Sequence, residues 1–222
     1  MKKIAIEVNG VLRDTIGKLK QVYEKFLLEK EDEITDSQFI LNSENEETIE
    51  IKEEDFFEYK IIEPVESLEI SKYFKFKSNE EQFSFIYDEF PMHIFGHASS
   101  SEMLTFNYLN EFYKEFRDDY EITIISDEVE KSKPSTLFFL SKFGCLIESI
   151  IFYNSKTIDK VLSSFDLIVT SNPDIIINYS NILNVIKYET EYNKQVSTAH
   201  EIKSLKELSE TINKIENVKI IQ

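Results

Sequence analysis

A chain of 222 residues, 41% of them hydrophobic, is long enough to enclose one full domain with a modest insertion. Its 42 acids against 25 lysines and arginines leave a net charge of −17, which repels phosphate backbones and anionic headgroups and argues against direct nucleic-acid binding and membrane-surface partners. One cysteine, Cys145, excludes an internal disulfide and suits a reducing compartment.

The apolar run at the start is only Ile4 to Ile6 before Glu7 interrupts it. That is too short for a membrane span, and the expectation is a cytoplasmic protein that is not secreted through a signal peptide. Lys3 to Val8 reads as a buried strand closed by a tight loop at Asn9-Gly10. A helix follows from Asp14 to about Glu29, with Ile16, Leu19, Tyr23, Phe26 and Leu27 on one face and Asp14 suited to cap it. From Glu31 to about Phe95 the pattern changes to charged stretches broken by aromatic pairs, including an acidic run from Ser43 to Glu58 that reads as a solvated face. This region, 31–95, is expected to be a small cap or insertion in a core made of 1–30 and 96–222.

Regularity returns at SSSEMLTFNYLNEFYKEF, where Ser99 and Glu102 have capping-box spacing and Met103, Phe106, Tyr113 and Phe116 supply an apolar stripe. The strand EITIIS (121–126) follows. A helix is then bracketed by Pro134 at its first position and Gly144 just past its end. Further strands are expected at 149–153, 165–170 and 185–188, with helices at 157–164 and from Asn172-Pro173. A long last helix striped by Ile202, Leu205, Leu208, Ile212 and Ile215 is expected to end before VKII. Alternating strands and helices imply an α/β, three-layer Rossmann-like fold with a mostly parallel sheet. Ligands bind such sheets beyond the carboxyl ends of the strands, here 7–12, 126–133 and 170–174.

The strand ends IEVNGVLRDT, ITIIS with KSKP behind it, and DLIVTSNPD stand in the order of the motifs of the haloacid dehalogenase (HAD) superfamily. The chain resembles that superfamily over 1–20 and roughly 99–188, and is most similar to its compact nucleotidase-type branch, which tailed phages also encode. The resemblance implies a phosphoryl-transfer site, with an aspartate nucleophile and an acid/base aspartate in the first motif. The matching positions are Glu7 and Asn9. It further implies Ser126 and a lysine, Lys133 or Lys131, holding phosphate, and a carboxylate pair for Mg²⁺ where Thr170 and Ser171 stand.

Each departure weakens that chemistry. The extra methylene of Glu7 moves its oxygens, and a misplacement of about 1 Å costs roughly 10²-fold in rate. Asn9 cannot exchange a proton, a step worth about 10²–10⁴. Thr170 and Ser171 bring no charge to a hard cation that prefers carboxylates. The expectation is a HAD-like protein without catalytic residues and without a cofactor. It would bind other protein subunits, as a homo-oligomer or as a neck, tail or head-associated virion component. The alternative is a Mg²⁺-dependent phosphatase or 5′-nucleotidase with Glu7 as nucleophile and Asp127 or Asp174 aiding the metal. A third reading keeps only an anion pocket at Gly10, Ser126 and Lys133. His93 and His97 have metal-ligand spacing but lack further ligands, with Pro91 and Gly96 against a helix there, so no metal site is expected.

Overall fold

The computed structural model describes residues 1–44 and 58–220, and the side chains of 1–30 and 58–217. Its six strands, β1 (Lys2–Glu7), β2 (Tyr120–Asp127), β3 (Ile150–Tyr153), β4 (Leu167–Thr170), β5 (Asn184–Tyr188) and β6 (His200–Ile202), form one sheet. Their order is β3-β2-β1-β4-β5-β6, and every ladder is parallel. β1 lies inside the sheet, with Ile4 opposite both Ile122 and Leu167. Strands covered on both faces read as continuous apolar runs, which explains IAI in β1 and LIV in β4.

Successive strand residues alternate between the faces. Ile4, Ile6, Ile122, Ile124, Leu167 and Val169 pack in one layer with α4 (Thr105–Phe116), α5 (Ser132–Lys142) and α8 (Leu208–Ile220). Ala5, Ile125, Ile168 and Val185 pack in the other with α6 (Ile158–Leu162) and α7 (Pro173–Tyr179). The three-layer α/β arrangement expected from the alternating pattern is therefore present.

α1 (Thr15–Glu44) begins as expected, with Asp14 Oδ1 accepting from the Gly17 amide at 2.9 Å. It continues to Glu44 rather than ending near Glu29, since no glycine or proline interrupts 30–44. Leu19, Val22 and Tyr23 of α1 form a third cluster with Phe74, Phe85, Ile86, Ile94 and Phe95 of the insertion. That part holds two short helices, α2 (Ile70–Tyr73) and α3 (Asn79–Phe83), and two π-helical turns, Ser84–Glu89 and Met92–Gly96. Nearly all of the acidic 43–58 run lies outside the described residues.

Four further boundaries differ from the sequence reading. The Ser99–Glu102 capping box does not form: α4 starts at Thr105, and the Glu102 carboxylate instead accepts from the Leu205 amide (2.9 Å) and the Ser204 hydroxyl (2.8 Å). The buried face of α4 is Phe106, Leu109, Phe112 and Phe116, while Met103 lies almost wholly in solvent. α5 starts at Ser132, so Pro134 is its third residue, still among positions whose amides have no intrahelical acceptor. Gly144 does follow that helix, with φ +68°. Ile202 belongs to β6, a strand too short to show a period of two. The strand is fixed by the buried Lys187, which pairs with Glu201 at 2.9 Å and donates to the Val196 carbonyl at 2.8 Å. α8 is preceded by a 3₁₀ turn, Leu205–Glu207, capped by Ser204, and runs through Val218 to Ile220.

Candidate functional site

Beyond the last residue of β1 the chain turns back on itself. The amides of Leu12 and Arg13 donate to the Val8 carbonyl at 3.0 Å each, and the Gly10 amide to the Arg13 carbonyl at 2.8 Å. Gly10 has φ +77°, and a Cβ there would sit 1.9 Å from Tyr192 Oη and 2.1 Å from Ser171 Oγ. Both the backbone and its surroundings therefore demand glycine. Tyr192 is held in place by the buried Asn193, whose amide donates to the Ser171 and Tyr188 carbonyls at 2.8 Å each.

Glu7 is 2% exposed. The Tyr153 hydroxyl donates to its Oε1 at 2.7 Å and the Thr170 hydroxyl to its Oε2. Burial raises its pKa to about 7, against the lowering effects of Thr170 and Tyr153, while the charge of Asp127 raises it further. Asn9 is also engaged: its Oδ1 accepts from Thr15 Oγ1 at 2.7 Å and from the Arg13 guanidinium. Ser171 Oγ donates to the Asn9 carbonyl at 3.0 Å and lies 2.8 Å from Tyr192 Oη.

Arg13 is fully buried and paired with the equally buried Glu128. It donates also to Thr136 Oγ1 (2.6 Å) and to the Phe95 carbonyl (3.1 Å), between the rings of Phe95 and Phe139. Ser126 Oγ and Thr136 Oγ1 donate to Glu128 Oε1, at 3.2 and 2.8 Å. Lys133 is exposed on α5, and Lys131 pairs with Asp88 at 3.3 Å.

A cavity of about 150 Å³ lies between these strand ends and the insertion, lined by Glu7, Asn9, Gly10, Asp127 and Ser171 among others. The structure thus brings together the first motif and Ser171. Gly10 lines that cavity, whereas Ser126 and Lys133 do not. Asp127 joins Glu7 there, but Asp174 is exposed at the start of α7, where the Asn172 side chain accepts from its amide. A wider cleft of about 550 Å³ adjoins it, sharing Gly10, Thr15, Ile16 and Tyr192. His93 and His97 lie with ring centroids 6.3 Å apart, and among the described residues no third ligand joins them.

Sequence reasoning missed Arg13, Glu128, Tyr153 and Tyr192. Only the last left a signal, in the capping spacing of Thr190 and Asn193 around it.

No protein-family model matches the chain, and no curated protein matches it in sequence. Among solved structures, one described as a haloacid dehalogenase-like hydrolase from Burkholderia xenovorans LB400 matches at TM-score 0.57 with 9% identity, over 96% of this chain and 98% of that one. The likeness to that structure is one of fold. A structure of a dehalogenase matches at TM-score 0.47 with 11% identity, over 94% and 95% of the two chains.

The Mg²⁺ that the HAD resemblance implies does not suit the residues present here. Both Glu7 oxygens accept hydrogen bonds, Asn9 Oδ1 accepts two, and Thr170 and Ser171 spend their protons on Glu7 and on the Asn9 carbonyl. Thr170 and Ser171 bring no charge to a hard cation, and among the described residues no three His, Cys, Asp or Glu side chains gather. Among the described residues, too, no helix is long and apolar enough to cross a membrane.

Proposed function

We propose that this chain is a non-catalytic protein on a HAD-like scaffold, acting as a binding or structural subunit of a larger assembly. The observation that carries the reading is the state of Glu7. The side chain at the nucleophile position is buried, holds a pKa near 7, and accepts a hydrogen bond at each oxygen, from Tyr153 and Thr170. Burial leaves this carboxylate partly protonated near neutral pH, and its two hydroxyl donors fix its orientation and draw on its charge, all of which weaken it as a nucleophile. Asn9, in the acid/base position, is bound to Arg13 and Thr15 and has no proton to exchange. With the strand-end chemistry committed to internal contacts, function passes to surfaces that meet other proteins. The motif-level similarity to phage-encoded forms makes a virion component the concrete version of this proposal.

The test is hydrolysis of an aryl phosphate and a panel of nucleoside monophosphates with Mg²⁺, beside Glu7→Ala and Glu7→Gln controls. A flat baseline in parent and variants is expected. Turnover that disappears in both variants would overturn the proposal and restore the phosphatase reading with Glu7 as nucleophile.

A further inference from the structure

We propose that the outer edge of β3 pairs, antiparallel, with the same edge of a second copy of this chain, joining two sheets across a two-fold axis. This goes beyond the non-catalytic reading and holds equally for an enzyme, so the phosphatase assay and the experiment below fail independently. β3 ends the strand order on one side and is bonded along one edge only, to β2. The Ile124 amide donates to the Ser149 carbonyl at 2.9 Å, which fixes the parity of that ladder. The amides and carbonyls of Ile151 and Tyr153 turn to β2, and those of Ile150 and Phe152 turn outward. Among the described residues no hydrogen bond reaches that outward side.

An open strand edge is a template for another strand, and folded chains blunt it with charge, proline, a bulge or shortness. β6, at the far edge, is three residues long, carries Glu201 and is followed by Lys203. β3 has neither charge nor proline: Ile150, Ile151 and Phe152 are half-buried and apolar, and Leu146 just before them is 44% exposed. One open edge beside one blunted edge gives a closed pair rather than a growing ribbon. The charges at the ends of β3 select a second copy as the occupant. Glu148 precedes the strand and Lys156 follows it; both are exposed, and among the described residues neither makes an ion pair. A two-fold axis through an antiparallel pair sets the residue before one strand beside the residue after the other, so Glu148 of each copy meets Lys156 of the second. Salt at about 0.15 M screens over roughly 8 Å, which confines the repulsion between two chains of −17 to charges near the contact.

The full chain is sedimented at that salt from about 1 to 100 µM. The mass is expected to rise from one chain toward two, with hydrogen exchange slowing at the Ile150 and Phe152 amides as the dimer fills. Glu148→Lys and Lys156→Glu, each at an exposed side chain, are expected to weaken the dimer about tenfold, and the two together to restore it. Phe152→Pro removes an outward amide that the β2 ladder does not use, and is expected to leave a monomer. If that variant does not fold, the charge series still decides. A parent that stays monomeric leaves the edge to a strand of another protein and overturns the proposal. So does a dimer whose Ile150 and Phe152 amides exchange at the monomer rate, or one that neither single reversal weakens, or whose loss the double change does not recover.

Discussion

Among the described residues Glu7 has two hydroxyl donors and no cationic partner, and that combination sets a pH dependence. Burial holds its pKa at about 7 against an ordinary 4.5. Between those values the folded chain keeps a proton that the unfolded chain has lost, so stability falls as pH rises through the window. The full cost, roughly 3 kcal/mol, is present above pH 7 and absent below about 4.5. Asp127 is shifted in the same direction, by burial and then by Glu128, so the parent profile combines both. Glu7→Gln isolates the first: denaturant unfolding from pH 4.5 to 8 is expected to show the variant gaining on the parent steadily with pH. A constant difference across that range would show that Glu7 titrates normally.

At the scale of elements, Arg13 is the fastening. Its guanidinium joins the β1–α1 loop to Glu128 behind β2, to Thr136 on α5 and to the carbonyl of Phe95 in the second π-helical turn. Replacing one partner of a buried pair leaves the other charged and unsolvated, so Arg13→Met is expected to cost about 3–5 kcal/mol, read as a lower denaturation midpoint. A double change, Arg13→Met with Glu128→Leu, should recover much of that loss; no recovery would place the effect in packing alone. Little of this network was legible in the sequence. The strands were, because IAI and LIV have the length and continuity of buried parallel strands. The α1 cap at Asp14 and the glycine after α5 were, because capping is local. What escaped were pairings between distant segments: Arg13 with Glu128, Glu7 with Tyr153, and Glu102 with Ser204. In the last case a carboxylate with capping spacing in its own segment serves the start of another. β6 escaped because three residues cannot display a period.

Across the whole molecule, a charge of −17 pushes the compact state apart, while ion pairs such as Lys194–Glu191 and Lys214–Glu210 are exposed and contribute little. Raising salt from about 0.01 to 0.15 M shortens the screening length from roughly 30 to 8 Å and weakens both terms. Because the repulsion is the larger, thermal unfolding is expected to move to higher temperature with salt; a downward shift would show that the pairs dominate. The sheet order carries one more consequence. β1 leaves the ribosome before both of its neighbours, yet it takes its place between β2 and β4, whose residues begin at 120 and 167. At about 5–20 residues per second, roughly 6 to 25 s of synthesis separate Ile4 and Ile6 from the nearer of these neighbours. Until then a central strand of the finished protein is a nascent segment with both edges open, and its protection in that interval falls to whatever meets the chain at the exit tunnel.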